Sequence, residues 1–275
     1  MDGRRVNSGR AVGVVTRGTT NPNRLRRMDR WITASFARQL RGAADPLAVD
    51  LGYGAAPWTA VELLDRLRQV RPDAEVVGVE IDPARVAAAL PYTRAGLSFV
   101  RGGFEVPLPD GRRPLLIRAA NVLRQYEEDG VAAAWARLYG RLAPGGLLVE
   151  GTCDEVGRRH VWVALGPEGP RTVTFAARLS TLERPSDLAE RLPKALIHRN
   201  VPGEPVHAFL TAFDRAWAAA APLSALGVRQ RWIRAVRDLR DAGWPVLDGP
   251  GRWRQGEVTL AWPALAPADG PLRAG

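Results

Sequence analysis

Asp50, Gly52 and Gly54 stand at alternate positions where an apolar run, Leu47 to Leu51, gives way to a turn. Glycine has no Cβ and accepts left-handed backbone angles, so Gly52 and Gly54 can form a tight floor on which a ligand meets bare backbone. A second apolar run, Ala74 to Val79, ends in Glu80. A carboxylate at the tip of a neighbouring strand can accept from both hydroxyls of a ribose. Together these residues make half of a nucleoside site. The glycine spacing is not the dinucleotide pattern, because Pro57 stands where the third glycine belongs. Asp50 would also repel a pyrophosphate, whereas it suits a cation such as an ammonium or a sulfonium.

Three further clusters carry candidate chemistry. Gly102-Gly103-Phe104-Glu105 follows a third apolar run, and Asn121 and Tyr126 follow a fourth. His198, Arg199 and Asn200 form a polar loop ahead of Pro202-Gly203 that could line a substrate pocket. Cys153 is the only cysteine, so the chain can form no internal disulfide and no thiolate metal cluster. The three histidines show no metal spacing, and no metal is expected.

Short apolar strands must place these residues. Strands are predicted at Leu47 to Leu51, Glu75 to Glu80, Leu97 to Arg101, Pro114 to Ala119 and Leu147 to Glu150. Helices are predicted at Thr59 to Val70, Pro83 to Leu90 and Asp129 to Arg141 between them. Such alternation implies a parallel sheet covered on both faces, and ligands bind at the carboxyl ends of its strands. Asn21-Pro22 reads as the start of a preceding helix whose apolar stripe is Leu25, Met28, Ile32, Phe36 and Leu40. Beyond residue 153, Gly166 to Pro170 predicts a hairpin between His160 to Leu165 and Arg171 to Leu179. Helices are expected near 186–196, 205–220 and 228–242, with a last strand at Val258 to Trp262.

The Asp50-x-Gly52-x-Gly54 turn, Glu80 at the second strand end, and Pro144-Gly145-Gly146 before the fifth strand resemble the class I S-adenosylmethionine-dependent methyltransferases over roughly residues 45–150. The resemblance implies an α/β fold, Rossmann-like, with a mostly parallel seven-stranded sheet, helices on both faces and an α+β insertion after strand five. The corresponding division is a flexible basic arm at 1–20, a cofactor-binding half at 21–153, an insertion or substrate cap at 154–226, a C-terminal part at 227–264 and a tail at 265–275. Strands six and seven would then lie within 246–262. The implied cofactor is S-adenosylmethionine, held by Asp50, Gly52, Gly54 and Glu80. In this family the loop after strand three carries an acid toward the adenine amino group. Here the acid comes two positions late, so either Glu105 does this or Phe104 packs on the ring while backbone bonds its edge. The base-amino methyltransferases of this fold place an asparagine or aspartate after strand four to orient the acceptor nitrogen. Asn121 stands at that place with Tyr126 nearby, without the family's Pro-Pro pair, and both are the catalytic candidates.

Charge bears on the acceptor. Residues 1–41 hold ten arginines against two acids, which accounts for most of the net charge of +10. Arg17, Arg24, Arg26 and Arg27 alternate with hydroxyl and amide donors, and phosphate backbones are held by such groups. RNA, gripped by this arm, is the preferred acceptor on sequence grounds. The alternatives are a small molecule under a lid formed by 154–226 and a non-catalytic RNA-binding protein of the same fold. No apolar run is long enough to cross a membrane, the N-terminus has no secretory pattern, and the expected location is the cytoplasm.

Overall fold

The computed structural model describes residues 11–16, 18 and 20–272. A single eight-stranded sheet organises them, in the order β3-β2-β1-β4-β5-β6-β7-β8. In chain order α1 (Arg26–Ser35) and α2 (Ala37–Gly42) precede β1 (Leu47–Leu51), α3 (Trp58–Arg68), β2 (Glu75–Glu80), α4 (Pro83–Ala89) and β3 (Leu97–Arg101). Then come β4 (Leu116–Ala120), α5 (Gly130–Tyr139) and β5 (Leu147–Cys153). A meander of β6 (Arg159–Gly166) and β7 (Gly169–Ala177) leads to α6 (Lys194–Ile197), α7 (Pro205–Ala219), α8 (Val228–Asp241), α9 (Pro250–Trp253) and β8 (Glu257–Ala261).

β1 to β5 pair in parallel, while β6, β7 and β8 are antiparallel. The parallel strands are mostly apolar because both faces are covered, with Asp50, Arg118 and Glu150 as buried charges within β1, β4 and β5. One face carries Met28, Ile32, Leu63, Leu64 and Leu67 from α1 and α3. The other carries Val131, Trp135 and Leu138 from α5, with Phe209, Phe213 and Trp232 from α7 and α8. Leu63 is fully buried, so Leu63→Ala would cost about 2–5 kcal/mol through lost burial and the cavity left behind.

The fold class is α/β as expected, but the antiparallel part differs. Strands six and seven do not lie in 246–262. They are the hairpin at 159–177, continuous with the main sheet, and no helix separates β5 from β6. β8 adds an eighth strand, and Val246 makes only an isolated bridge to Leu260. The turn cluster at 166–170 does mark the hairpin, but its place in the sheet differs from the expectation because an apolar strand does not announce its neighbour. The first helix also starts later than Asn21-Pro22 suggests. Asn23 takes a left-handed φ of 60° and its N–H donates to Glu62, 2.6 Å away, so 21–25 is a turn.

Candidate functional site

Strand order reverses between β1 and β4, and the crevice at the carboxyl ends of those two strands is where open α/β sheets bind ligands. A cavity of about 470 Å³ lies there. Its floor is Gly52-Tyr53-Gly54; Ala120, Asn121 and Cys153 come from the ends of β4 and β5, and Thr16, Gly18, Thr20 and Arg24 from the N-terminal segment. Gly52 and Gly54 have φ of 69° and 85°, which a side chain would strain.

Beneath the floor lies a buried charge cluster. Arg118, on β4 and fully buried, donates from Nε to Asp50 Oδ1 at 3.1 Å and from Nη2 to the Thr59 carbonyl at 2.8 Å. Its Nη1 pairs with Asp29 of α1, and its Nη2 lies 2.8 Å from Asp50 Oδ2. Thr59 Oγ1 donates to the same Asp50 oxygen at 2.6 Å. Burial pushes the Asp29 carboxyl up to about 6 although Arg118 opposes it. Burial would lower Arg118, but Asp29 and Asp50 outweigh it and hold the guanidinium above its ordinary value. Asp50 therefore borders the cavity with its charge already matched from below. The sequence showed Asp50; it did not show Arg118, whose signal was a lone charge inside an apolar strand.

Glu80 is also buried, and ties the glycine turn to the second strand end. It accepts from Gly54 N at 3.0 Å and from Ile81 N at 2.8 Å, with Arg85 Nη1 at 3.6 Å. Glu105 accepts from Gly103 N at 2.8 Å and, through its second oxygen, from Val12 N at 2.8 Å. Phe104 packs tilted against Tyr126 at 5.3 Å, and its N–H donates to the Val12 carbonyl at 2.9 Å.

Asn121 reaches the cavity at a left-handed φ of 60°. Its Oδ1 accepts from Cys153 N at 2.9 Å, and its Nδ2 donates to the Cys153 sulfur at 3.2 Å. Tyr126 hydroxyl accepts from Val14 N at 2.6 Å, and burial raises its pKa. Burial likewise raises the Cys153 thiol, more than Arg24 and Asn121 lower it.

The basic candidates separate. Arg17 lies outside the described residues. Arg24 borders the cavity and donates from Nε to Cys153 Sγ at 3.2 Å and to the Asp154 carbonyl at 3.1 Å. Arg26 bonds the carbonyls of Asn23 and Val156, and Arg27 that of Gln255. Burial lowers Arg27 to about 10. These side chains tie the segment to its own protein. His198, Arg199 and Asn200 are not brought to the cavity. His198 contacts Lys194, and Arg199 pairs with Glu128, Glu204 and Asp269. Two arginines that the sequence did not single out, Arg124 and Arg191, do line it, with Gln125 and Glu155. Arg191 and Glu155 are the contribution of 154–226. No group of three metal-ligating side chains occurs among the described residues, and no helix among them is long and apolar enough to cross a membrane.

No family model matches the chain. Trans-aconitate 2-methyltransferase of Methylobacterium radiotolerans is 29% identical over 203 residues, covering 70% of this chain and 68% of that protein. Among solved structures, the plantazolicin methyltransferase in complex with S-adenosylhomocysteine aligns at 11% identity and a TM-score of 0.36, over 47% of this chain and 48% of its own. Magnesium protoporphyrin IX methyltransferase from Synechocystis, with the same product bound, aligns at 17% identity and a TM-score of 0.35, over 46% and 53%. The chain thus spans about half the length of these solved structures.

Proposed function

We propose that this chain is a class I S-adenosylmethionine-dependent methyltransferase whose acceptor is a small carboxylate. The observation that carries the acceptor class is the cavity lining, to which Arg24, Arg124 and Arg191 all contribute together with Asn121. Guanidinium groups hold carboxylates through charge-assisted hydrogen bonds. The relative's name gives trans-aconitate as its acceptor, a polycarboxylate.

The residues present fit the donor. The Glu105 carboxylate and the Phe104 N–H stand side by side as an acceptor and a donor, the pairing that the amino edge of adenine requires. Both groups already bond Val12, through its N–H and its carbonyl. Gly52 and Gly54 bring backbone to the cavity, and Glu80, whose Oε1 accepts from Ile81 N and Asp82 N and whose Oε2 accepts from Gly54 N, would meet the ribose through the Oε2 lone pair that these backbone partners leave. Bound S-adenosylmethionine would supply a methyl group on a sulfonium, an electrophile that needs no further activation.

What the protein must add is placement, because holding two reactants in line supplies much of such a rate. A carboxylate oxygen attacks without losing a proton, so no general base is needed. The cavity agrees: Asp50 is matched by Arg118 and the Cys153 thiol is raised by burial. Asn121, pinned to Cys153, and the arginine wall orient the acceptor. The arginines that sequence reading had given to RNA are turned inward at Arg24, Arg26 and Arg27, which favours the small acceptor.

The test is transfer of a labelled methyl group to three pools: di- and tricarboxylic acids, neutral or cationic metabolites, and total RNA. Label in a base-labile ester of a carboxylic acid is expected. Label in RNA alone would establish the other acceptor.

A further inference from the structure

The N-terminal segment is laid across the mouth of the sheet, and it touches every loop from which the donor site is built. Val12 exchanges two hydrogen bonds with the loop after β3: its N–H donates to Glu105 at 2.8 Å and its carbonyl accepts from Phe104 N at 2.9 Å. Val14 does the same after β4, with its N–H to the Tyr126 hydroxyl at 2.6 Å and its carbonyl from Gln125 Nε2 at 3.0 Å. Arg85, behind β2, holds Thr16 through Nη2 to the carbonyl at 2.9 Å. Gly18 carbonyl accepts from Ala55 N at 2.9 Å beside the glycine turn, and Thr20 Oγ1 donates to the Tyr53 carbonyl at 2.8 Å. The approach is close. A Cβ on Gly103 would collide with the Val12 carbonyl, and one on Gly54 would meet Thr20 Oγ1 at 2.5 Å.

The contacts are almost wholly backbone, while Val12, Val14 and Val15 turn their side chains outward and are 37%, 56% and 45% exposed. A segment held for its packing would bury its valines. This one instead fills polar positions. Val12 offers a donor from the peptide before its Cα and an acceptor from the peptide after it, the pairing that the N6 amino group and N1 of adenine present, and it takes the two groups that adenine would take.

We propose that residues 12–16 are a built-in competitor of the cofactor: a strap on which the N–H and carbonyl of Val12 imitate the adenine edge, so that the donor enters only when the strap leaves. The inference rests on the methyltransferase reading above. The strap holds the site in a closed state, and apparent affinity for the donor falls by the fraction of open molecules. A lid that closes over bound cofactor would need room between Val12 and the Glu105–Phe104 edge; direct hydrogen bonds leave none.

The experiment compares the full chain, a chain beginning at residue 17 and the full-length variant Val12→Pro, which deletes the N–H donated to Glu105. Calorimetry with S-adenosylhomocysteine measures affinity, and hydrogen exchange reports on the Val12 and Val14 amides of the full chain. Truncation should tighten binding at least about fivefold, corresponding to a closed state populated about 80% or more. Val12→Pro should tighten it in the same direction, and ligand should speed exchange at both amides. Adenosine should bind the truncated chain, whereas inosine, with the donor and acceptor reversed at that edge, should bind it far less. Equal or weaker binding after truncation, or amides protected by ligand, would overturn the strap and leave the methyltransferase reading standing. Absence of binding to all three proteins would overturn that reading and the strap with it.

Discussion

Replacing Arg118 by methionine tests the charge cluster beneath the glycine turn. Methionine is similar in length and apolar, so the variant keeps most of the volume and loses the charge. Two carboxylates, Asp29 and Asp50, each 1% exposed, then remain without their cation. Removing one partner of a buried pair costs about 3–5 kcal/mol, and with two carboxylates stranded the upper end, about 5 kcal/mol, is expected. Whole domains are stable by only about 5–15 kcal/mol, so the loss is a large share. The cost must also depend on pH. Burial already lifts Asp29 to about 6 against the pull of Arg118; without Arg118 it rises further. A carboxyl raised in the folded state contributes stability at low pH and loses it as pH climbs through the folded value. The gap between wild type and Arg118→Met should therefore be smaller at pH 5 than at pH 8. Urea unfolding followed by tryptophan fluorescence at both pH values measures it. A loss under about 1 kcal/mol at pH 8, or a gap that does not change with pH, would refute the reasoning.

Glu150, fully buried on β5, is pushed up to about 8 by burial, which outweighs the nearby Trp135 indole. Wild-type stability should fall between pH 5 and pH 8, and Glu150→Gln should flatten that fall by on the order of 3 kcal/mol in the same unfolding assay. The Cys153 thiol is 1% exposed with its pKa raised; a disulfide reagent should modify the native protein at least about 100-fold more slowly than the urea-unfolded chain. Arg191→Ala should raise KM for a carboxylate acceptor about 10-fold or more, the worth of one charge-assisted hydrogen bond, while the affinity for S-adenosylhomocysteine stays within about twofold.

The parallel half of the fold was legible because its strands are mainly apolar and bounded by turns. The predicted β1, β2 and β3 have the observed limits, Leu47–Leu51, Glu75–Glu80 and Leu97–Arg101. The ends of β1 and β4, with Gly52, Gly54 and Asn121, meet at one cavity, whereas Glu80, Phe104, Glu105 and Tyr126 are not among the residues that line it. The antiparallel half was less legible, since which edge a hairpin joins depends on pairing partners far away in sequence. Three features of the site could not be read. Arg118 sits in a run otherwise apolar, and its meaning appears only when Asp29 from a distant helix closes on it. Arg124 and Arg191 meet across 67 positions of chain only through the fold. The segment at 12–16 binds mainly through its backbone N–H and carbonyl groups, which nearly every residue possesses, so no side-chain pattern announces it. The arginines that follow it suggest phosphate contact, whereas the structure turns Arg24, Arg26 and Arg27 onto the protein's own carbonyls.

Binding of the donor decides whether this chain is a methyltransferase, and equilibrium dialysis of labelled S-adenosylmethionine measures it, with both the full chain and the chain beginning at residue 17 so that the strap cannot mask a site. One saturable site per chain, displaced by S-adenosylhomocysteine, is expected. No saturable binding to either protein would contradict that reading.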